Sequence, residues 1–139
     1  MSDLLYKDEV FKLVGHCIEI HDEIGKGQDE VLYKDAFTVE LQHAQIPFAR
    51  ERKYEVTYKR VILPHHYFAD FVVWDKILFE AKAVERLIEV HVKQVLNYLA
   101  ASKLELGLLV NFGADSLEWK RVVLTQKTKP AELPKGFRI

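Results

Sequence analysis

The chain has a single cysteine, Cys17, so no internal disulfide can brace its 139 residues. That thiol falls on the apolar stripe of a helix, which makes it a core residue in a reducing compartment, and the expected setting is cytoplasmic. No stretch approaches the ~18 consecutive apolar residues that read as a membrane-spanning helix. The opening residues, Met1 to Glu9, are charged too early and too often for a signal peptide. An excess of one charge is missing too. With a formal net charge of −1 the chain has no global pull toward nucleic acid, and any such affinity has to come from a local basic patch. GxGxxG, P-loop and GxSxG motifs are absent, which leaves nucleotide-binding folds and serine hydrolases without support. There is no internal repeat, linker or low-complexity tract.

What is there is an ordinary globular composition, 49% apolar and 29% charged, in a length that fits one domain over residues 1–139. Helical spacing over 8–24 sets Val10, Phe11, Val14, Cys17, Ile18, His21 and Ile24 on one stripe, and Gly25-Lys26-Gly27 ends it. A second helix is predicted from about Gln28 to His43, with Val31, Leu32, Ala36, Val39 and Leu41 facing inward. Tyr54 to Tyr58 alternates as a strand and turns at Lys59-Arg60 into Val61-Ile62-Leu63. Pro64 then interrupts before the aromatic and β-branched segment His66 to Val73. Asp75-Lys76 supplies turn chemistry, and Ile77 to Lys82 returns. Residues 85–102 resume helical spacing through Leu87, Ile88, Val92, Val95, Leu96, Leu99 and Ala100. The continuous apolar run Leu106 to Phe112 marks a strand buried on both faces, and Trp119 to Leu124 a last strand at an edge. Residues 125–139, with Pro130 and Pro134, read as a loosely ordered tail. The order ααβββαββ implies an α/β fold with a mixed central sheet flanked by helices.

The chemistry concentrates on one hairpin, which carries Asp70 and Glu80-Ala81-Lys82. Glu80 and Lys82 share a strand face because side chains alternate with a period of two. Asp70 joins them only if the hairpin pairs it opposite Glu80 or Lys82, through a three-residue loop or a bulge. Two acids beside a lysine in an apolar hairpin are costly to bury unless a cation or ion pairs compensate, which points to a metal site. Gly27, Glu30 and Tyr33 stand in G-x-x-E-x-x-Y spacing at a helix start, with Glu30 and Tyr33 on one side. A capping glycine, an acid that complements the helix dipole and a core tyrosine account for the same letters. Gln94 and Tyr98 form an i,i+4 pair with His91 one turn earlier. A site lining and an ordinary half-buried polar face both remain open for them.

His65-His66 cannot chelate together, since neighbours in a strand point to opposite faces, and His16 and His21 lack the spacing of helical zinc pairs. Arg50, Arg52, Lys53, Lys59 and Arg60 form one basic group, and Lys120, Arg121, Lys127, Lys129, Lys135 and Arg138 a second. Each can serve as a phosphate contact or as a plain solvated face, and neither interleaves with aromatics in the manner of a nucleic-acid groove.

Together these parts resemble the GxxExxY family, a small branch of the PD-(D/E)xK nuclease-like superfamily, with RecB-like nucleases as the analogy. The resemblance covers about Asp8 to Leu124. It is carried by Ile18-Glu19-Ile20-His21, Ile24-Gly25-Lys26-Gly27, Glu30 and Tyr33, then by Tyr67-Phe68-Ala69-Asp70 and Glu80-Ala81-Lys82-Ala83-Val84-Glu85. His91, Gln94, Asn97-Tyr98-Leu99 and Gly107 to Phe112 complete it. It implies a restriction-endonuclease-like core and metal-dependent hydrolysis of phosphodiester bonds. On that resemblance Asp70, Glu80 and Lys82 are the catalytic residues. Glu30, Asp70, Glu80 and the Ala81 carbonyl would hold Mg²⁺ or Mn²⁺, and Tyr33, His91, Gln94 and Tyr98 would support the site or touch substrate. The implied partner is nucleic acid, DNA in preference to RNA, with no membrane. A homodimer through the edge strand near Trp119 would complete a substrate groove. The alternative is a non-catalytic nucleic-acid- or protein-binding accessory module that retains the fold. Two departures stand out: Ala81 replaces the usual aliphatic residue, and no proline precedes Asp70.

Overall fold

The structure, a computed structural model, describes residues 4–125. Its elements are α1 (Lys7–Ile24), α2 (Glu30–His43), β1 (Phe48–Tyr58), β2 (Val61–Val73), β3 (Ile77–Lys82), α3 (Glu89–Ser102), β4 (Leu106–Asn111) and β5 (Glu118–Val123). This is the ααβββαββ order expected from the sequence. The strands form one sheet in the order β1-β2-β3-β4-β5. The α3 crossover makes the β3–β4 pair parallel, and the other pairs are antiparallel.

Each face of the sheet has its own core. On one side α1 and α2 bring Leu13, Cys17 and Phe37 against Phe71, Phe79 and Phe112. On the other, α3 sets Val95 and Leu99 on Val72, Leu78 and Leu109. Coverage on both faces explains the unbroken apolar run of β4, every residue of which is buried. Gly107 in that strand lets α3 lie close, because a Cβ there would run into the Val95 side chain. The edge position expected for β5 is observed.

The helical stripes differ from expectation. Phe11 is 64% exposed, and Ile18 is exposed as well, while Leu13 and Ile20 fill the core in their place. On α2, Val31, Leu32 and Val39 face solvent, and Tyr33, Phe37 and Leu41 are buried. Each helix carries two overlapping apolar rows. On α2 the row with the aromatic rings wins because it buries more area and stacks, Tyr33 on Phe112 at 4.8 Å and Phe37 on Phe79 at 4.0 Å.

Three boundaries also move. The first strand begins at Phe48, ahead of the expected Tyr54. Pro64 does not interrupt β2: it lies where the β1–β2 register shifts and residues 63–65 have no partner in β1, so its missing N–H costs no ladder bond. Helix α3 starts at Glu89 and not at 85, because the preceding loop is tied across the sheet end. Asn111 bonds both the N–H and the C=O of Val84, and the Leu87 N–H donates to Glu118. Of the expected tail, residues 126–139 lie outside the described residues, and with them Lys127, Lys129, Pro130, Pro134, Lys135 and Arg138. Among the described residues no helix is long and apolar enough to cross a membrane.

Cys17 is fully buried on α1, and burial, with the Glu40 charge adding to it, pushes its thiol well above the usual range. The native protein should therefore resist a thiol-reactive disulfide reagent at about pH 8 and react on addition of denaturant. Rapid stoichiometric labelling of the native form would mean that α1 is not docked as described.

Candidate functional site

The geometry starts from the β2–β3 turn. Phe71, Val72 and Val73 pair with Phe79, Leu78 and Ile77, so the loop is the three residues Trp74-Asp75-Lys76. Trp74 and Asp75 adopt left-handed φ values of 54° and 56°. The Trp74 N–H donates to the Pro47 carbonyl at 2.9 Å, and the Lys76 N–H to the Val73 carbonyl at 3.1 Å. Continuing that register sets Asp70 opposite Glu80. There the backbone ladder stops and side chains replace it. The Asp70 N–H donates to Glu80 Oε2 at 2.7 Å, and the Ala81 N–H donates to Asp70 Oδ2 at 2.9 Å. In an extended strand the N–H and C=O of one residue project to the same edge, so the Ala81 carbonyl also faces this gap.

The two carboxylates are 8% and 3% exposed. Burial, and then the Asp70 charge, push the Glu80 carboxyl up to about 9, against the pull of the Asp70 N–H, Lys82 and Lys34. Glu80 thus keeps a proton at neutral pH while no other cation offsets the pair. Lys34 reaches in from α2, with Nζ 3.1 Å from Asp70 Oδ1 and 2.8 Å from Glu51 Oε2. Glu51 occupies the β1 position across from Asp70 with a left-handed φ of 54°, a strained backbone for a glutamate. Glu30, one turn before Lys34, is half-buried, and its carboxyl is raised by burial first and the Asp70 charge second. From β3, Lys82 Nζ donates to Gln94 Oε1 at 2.6 Å, and Gln94 lies beside the Tyr98 hydroxyl at 3.4 Å. Burial and the charges of Glu80 and Asp70 raise that hydroxyl. Around one gap the fold therefore gathers Asp70, Glu80, Ala81 and Lys82, with Gln94 and Tyr98 beside Lys82 and Glu30 near enough to feel the Asp70 charge.

Two candidates lie elsewhere. The Tyr33 ring is fully buried, and its hydroxyl donates to the Gly25 carbonyl at 2.5 Å and accepts the Gln28 N–H at 3.2 Å. Gly27, with φ of 101°, has a backbone that L side chains rarely adopt. The G-x-x-E-x-x-Y letters thus make a pinned loop that holds Glu30 in the first turn of α2. His91 accepts the Ile88 N–H through Nδ1 at 3.0 Å, at the start of α3. Lys34 and Glu51 were not singled out from the sequence. Lys34 had a signal, four residues after Glu30 on the same helical side. Glu51 had none, because only strand pairing brings it to Asp70.

Among the described residues, no three or more His, Cys, Asp or Glu side chains are grouped so as to hold a metal ion. Asp70, Glu80 and the Ala81 carbonyl nevertheless fit one chemically. They are hard oxygen donors suited to Mg²⁺ or Mn²⁺, and a buried acid pair that retains a proton is short of the positive charge a cation supplies.

The family model described as the PD-(D/E)XK nuclease superfamily matches residues 7–122. No curated protein matches the chain. Among solved structures, the crystal structure of SSO0001 is similar at 16% identity and a TM-score of 0.49, over 86% of this chain and 68% of that one.

Proposed function

The chain belongs to the PD-(D/E)XK nuclease superfamily and has a nuclease-like fold of that type, and from this premise we propose that it is a metal-dependent nuclease of the GxxExxY group, in the RecB-like branch. Enzymes of the superfamily typically use divalent metals. The observation that carries the reading is the reciprocal bonding of Asp70 and Glu80, two carboxylates buried side by side where β2 and β3 part. The two acids take up backbone N–H groups that the ended ladder leaves, and a cation would offset the charge that two buried carboxylates bring together there.

Asp70, Glu80 and the Ala81 carbonyl would hold Mg²⁺ or Mn²⁺, with Glu30 as a further acid at the mouth. The bound cation would supply Lewis acidity to the phosphodiester and a hydroxide at neutral pH. Lys82, oriented by Gln94, neutralises charge that develops on the phosphate oxygens or orients the attacking water. Tyr98 and Gln94 keep that ammonium in place; Tyr33 acts at a distance, by holding the loop before Glu30. DNA in preference to RNA is the proposed substrate, cut by a single domain in the cytoplasm. The exposed Trp119 edge of β5 is the proposed surface for a homodimer.

One observation favours the accessory-module reading: Lys34 already gives Asp70 an ammonium partner, so the site is partly satisfied without a metal. Labelled single- and double-stranded DNA and RNA, incubated with Mn²⁺ or Mg²⁺, separate the two. Cleavage that EDTA stops and that Asp70→Ala lacks supports the nuclease. A wild type that cuts nothing, with no Asp70-dependent Mn²⁺ binding by calorimetry, leaves the accessory module.

A further inference from the structure

Among the described residues, Lys34 is the one cation that forms an ion pair with an acid of the gap, and its side chain is only 13% exposed. Its Nζ stands between two carboxylates, Asp70 Oδ1 at 3.1 Å and Glu51 Oε2 at 2.8 Å. These two acceptors differ in kind. Asp70 is buried and fixed, since its other oxygen takes the Ala81 N–H at 2.9 Å. Glu51 stands at the rim, with 49% of its side chain open to water. Of the two groups that engage the Asp70 carboxylate, the backbone N–H is held by the strand, while the lysine has somewhere else to go.

The second acceptor is there because the backbone is bent for it. Arg50, the neighbour of Glu51 in β1, donates to Asp35 at 2.7 Å and to Thr38 at 3.2 Å, so both residues bond side chains of α2. Neighbours in a regular strand point to opposite faces and could not both do so. The left-handed φ of 54° at Glu51 breaks the alternation and turns its carboxylate toward Lys34. The kink adds no residue to the strand pairing, which runs unshifted from Arg50 opposite Phe71 to Arg52 opposite Ala69.

We propose that Lys34 is an exchangeable stand-in for the metal: it neutralises Asp70 in the metal-free protein and passes wholly to Glu51 when a divalent cation binds. This rests on the metal-binding reading of the acid gap. An ammonium and a divalent cation on one buried carboxylate repel each other strongly, because little water screens them. A lysine held by Asp70 alone would have to leave for solvent and lose its charge partner. Glu51 already touches the same Nζ, so the ammonium can let go of Asp70 and stay paired. Lys34 thus sets the threshold for metal entry, and Glu51 lowers it.

Calorimetry with Mn²⁺ at constant ionic strength tests the exchange in the full chain. Lys34→Met keeps the stem and removes the charge. It should bind Mn²⁺ about tenfold more tightly than wild type, a fraction of the repulsion between like charges a few ångströms apart. Lys34→Gln, which can still bond Asp70, gives the same comparison if Lys34→Met does not fold. Glu51→Gln should weaken binding in the wild-type background and change it little in the Lys34→Met background, because only a lysine needs the second acceptor. A purely structural ion pair would not tighten metal binding when broken. An acid that acted through its charge alone would weaken binding equally in both backgrounds. Either result overturns the proposal. Equal affinity in wild type and the Lys34 variants removes the exchange alone, whereas Mn²⁺ binding by none of them removes the metal reading with it. If the affinities shift as expected and no metal yields cleavage, the exchange stands and the nuclease reading falls.

Discussion

Glu80→Gln should raise the thermal midpoint of the metal-free protein above neutral pH and abolish its metal-dependent cleavage. In the folded chain the Glu80 carboxyl titrates at about 9, against 4.5 for an ordinary glutamate. Between those values the folded state holds a proton that the unfolded state has released. Stability is therefore highest at the acid end and falls as pH rises toward 9. Glutamine has the shape of the protonated acid at every pH, so the variant loses that slope. Its Oε1 can still accept the Asp70 N–H that Glu80 Oε2 accepts now. The gain should be on the order of 2 kcal/mol at about pH 8, because the folded wild type must there hold a proton that the unfolded chain has released. Thermal melts in EDTA from about pH 5 to 9 read it directly. Added Mn²⁺ should flatten the wild-type curve and leave the variant unmoved, because the cation takes the place of the proton. Parallel slopes in the two proteins would mean that Glu80 is ionised throughout and that the charge argument for a cation fails.

Lys82→Ala should lower turnover ~10²- to 10³-fold, the range for removing one group that stabilises developing charge, and leave Mn²⁺ binding in place. Lys82 shares the strand face of Glu80, but its ammonium is bonded to Gln94 on α3 and not to either acid. Its removal takes nothing from the Asp70–Glu80 bonding, which runs through backbone N–H groups. The loss should fall on kcat with KM little changed, since an interaction formed only as charge develops does not bind the ground state. Calorimetry with Mn²⁺ supplies the second readout. A variant that no longer binds the metal would make Lys82 a builder of the site and not a participant in the reaction.

The hairpin was the most legible part of the chain. Period-two alternation puts Glu80 and Lys82 on one face, and the requirement for a three-residue loop was open to reasoning from the turn residues alone. The lone Cys17 in the core and the doubly buried Leu106 run follow from local pattern in the same way. The helical faces were less legible. Phe11, Ile18, Val31, Leu32 and Val39 all satisfy a helical period, yet they face solvent. Pro64 looked like a break, and only the unpaired stretch at 63–65 makes it harmless.

By itself the sequence determined the order of elements, the mixed sheet and the shared strand face of Glu80 and Lys82, because side-chain periodicity and turn chemistry act over a few neighbouring residues; it placed Asp70 opposite Glu80 only on the condition of a three-residue loop or a bulge. The tertiary structure alone decided which apolar row of α2 is buried, that Tyr33 pins a loop away from the gap, and that Lys34 and Glu51 stand beside Asp70. Those outcomes depend on strand register and helix docking. Both are settled by the packing of the whole core, where a shift of one residue would turn Asp70 to the opposite face of the sheet.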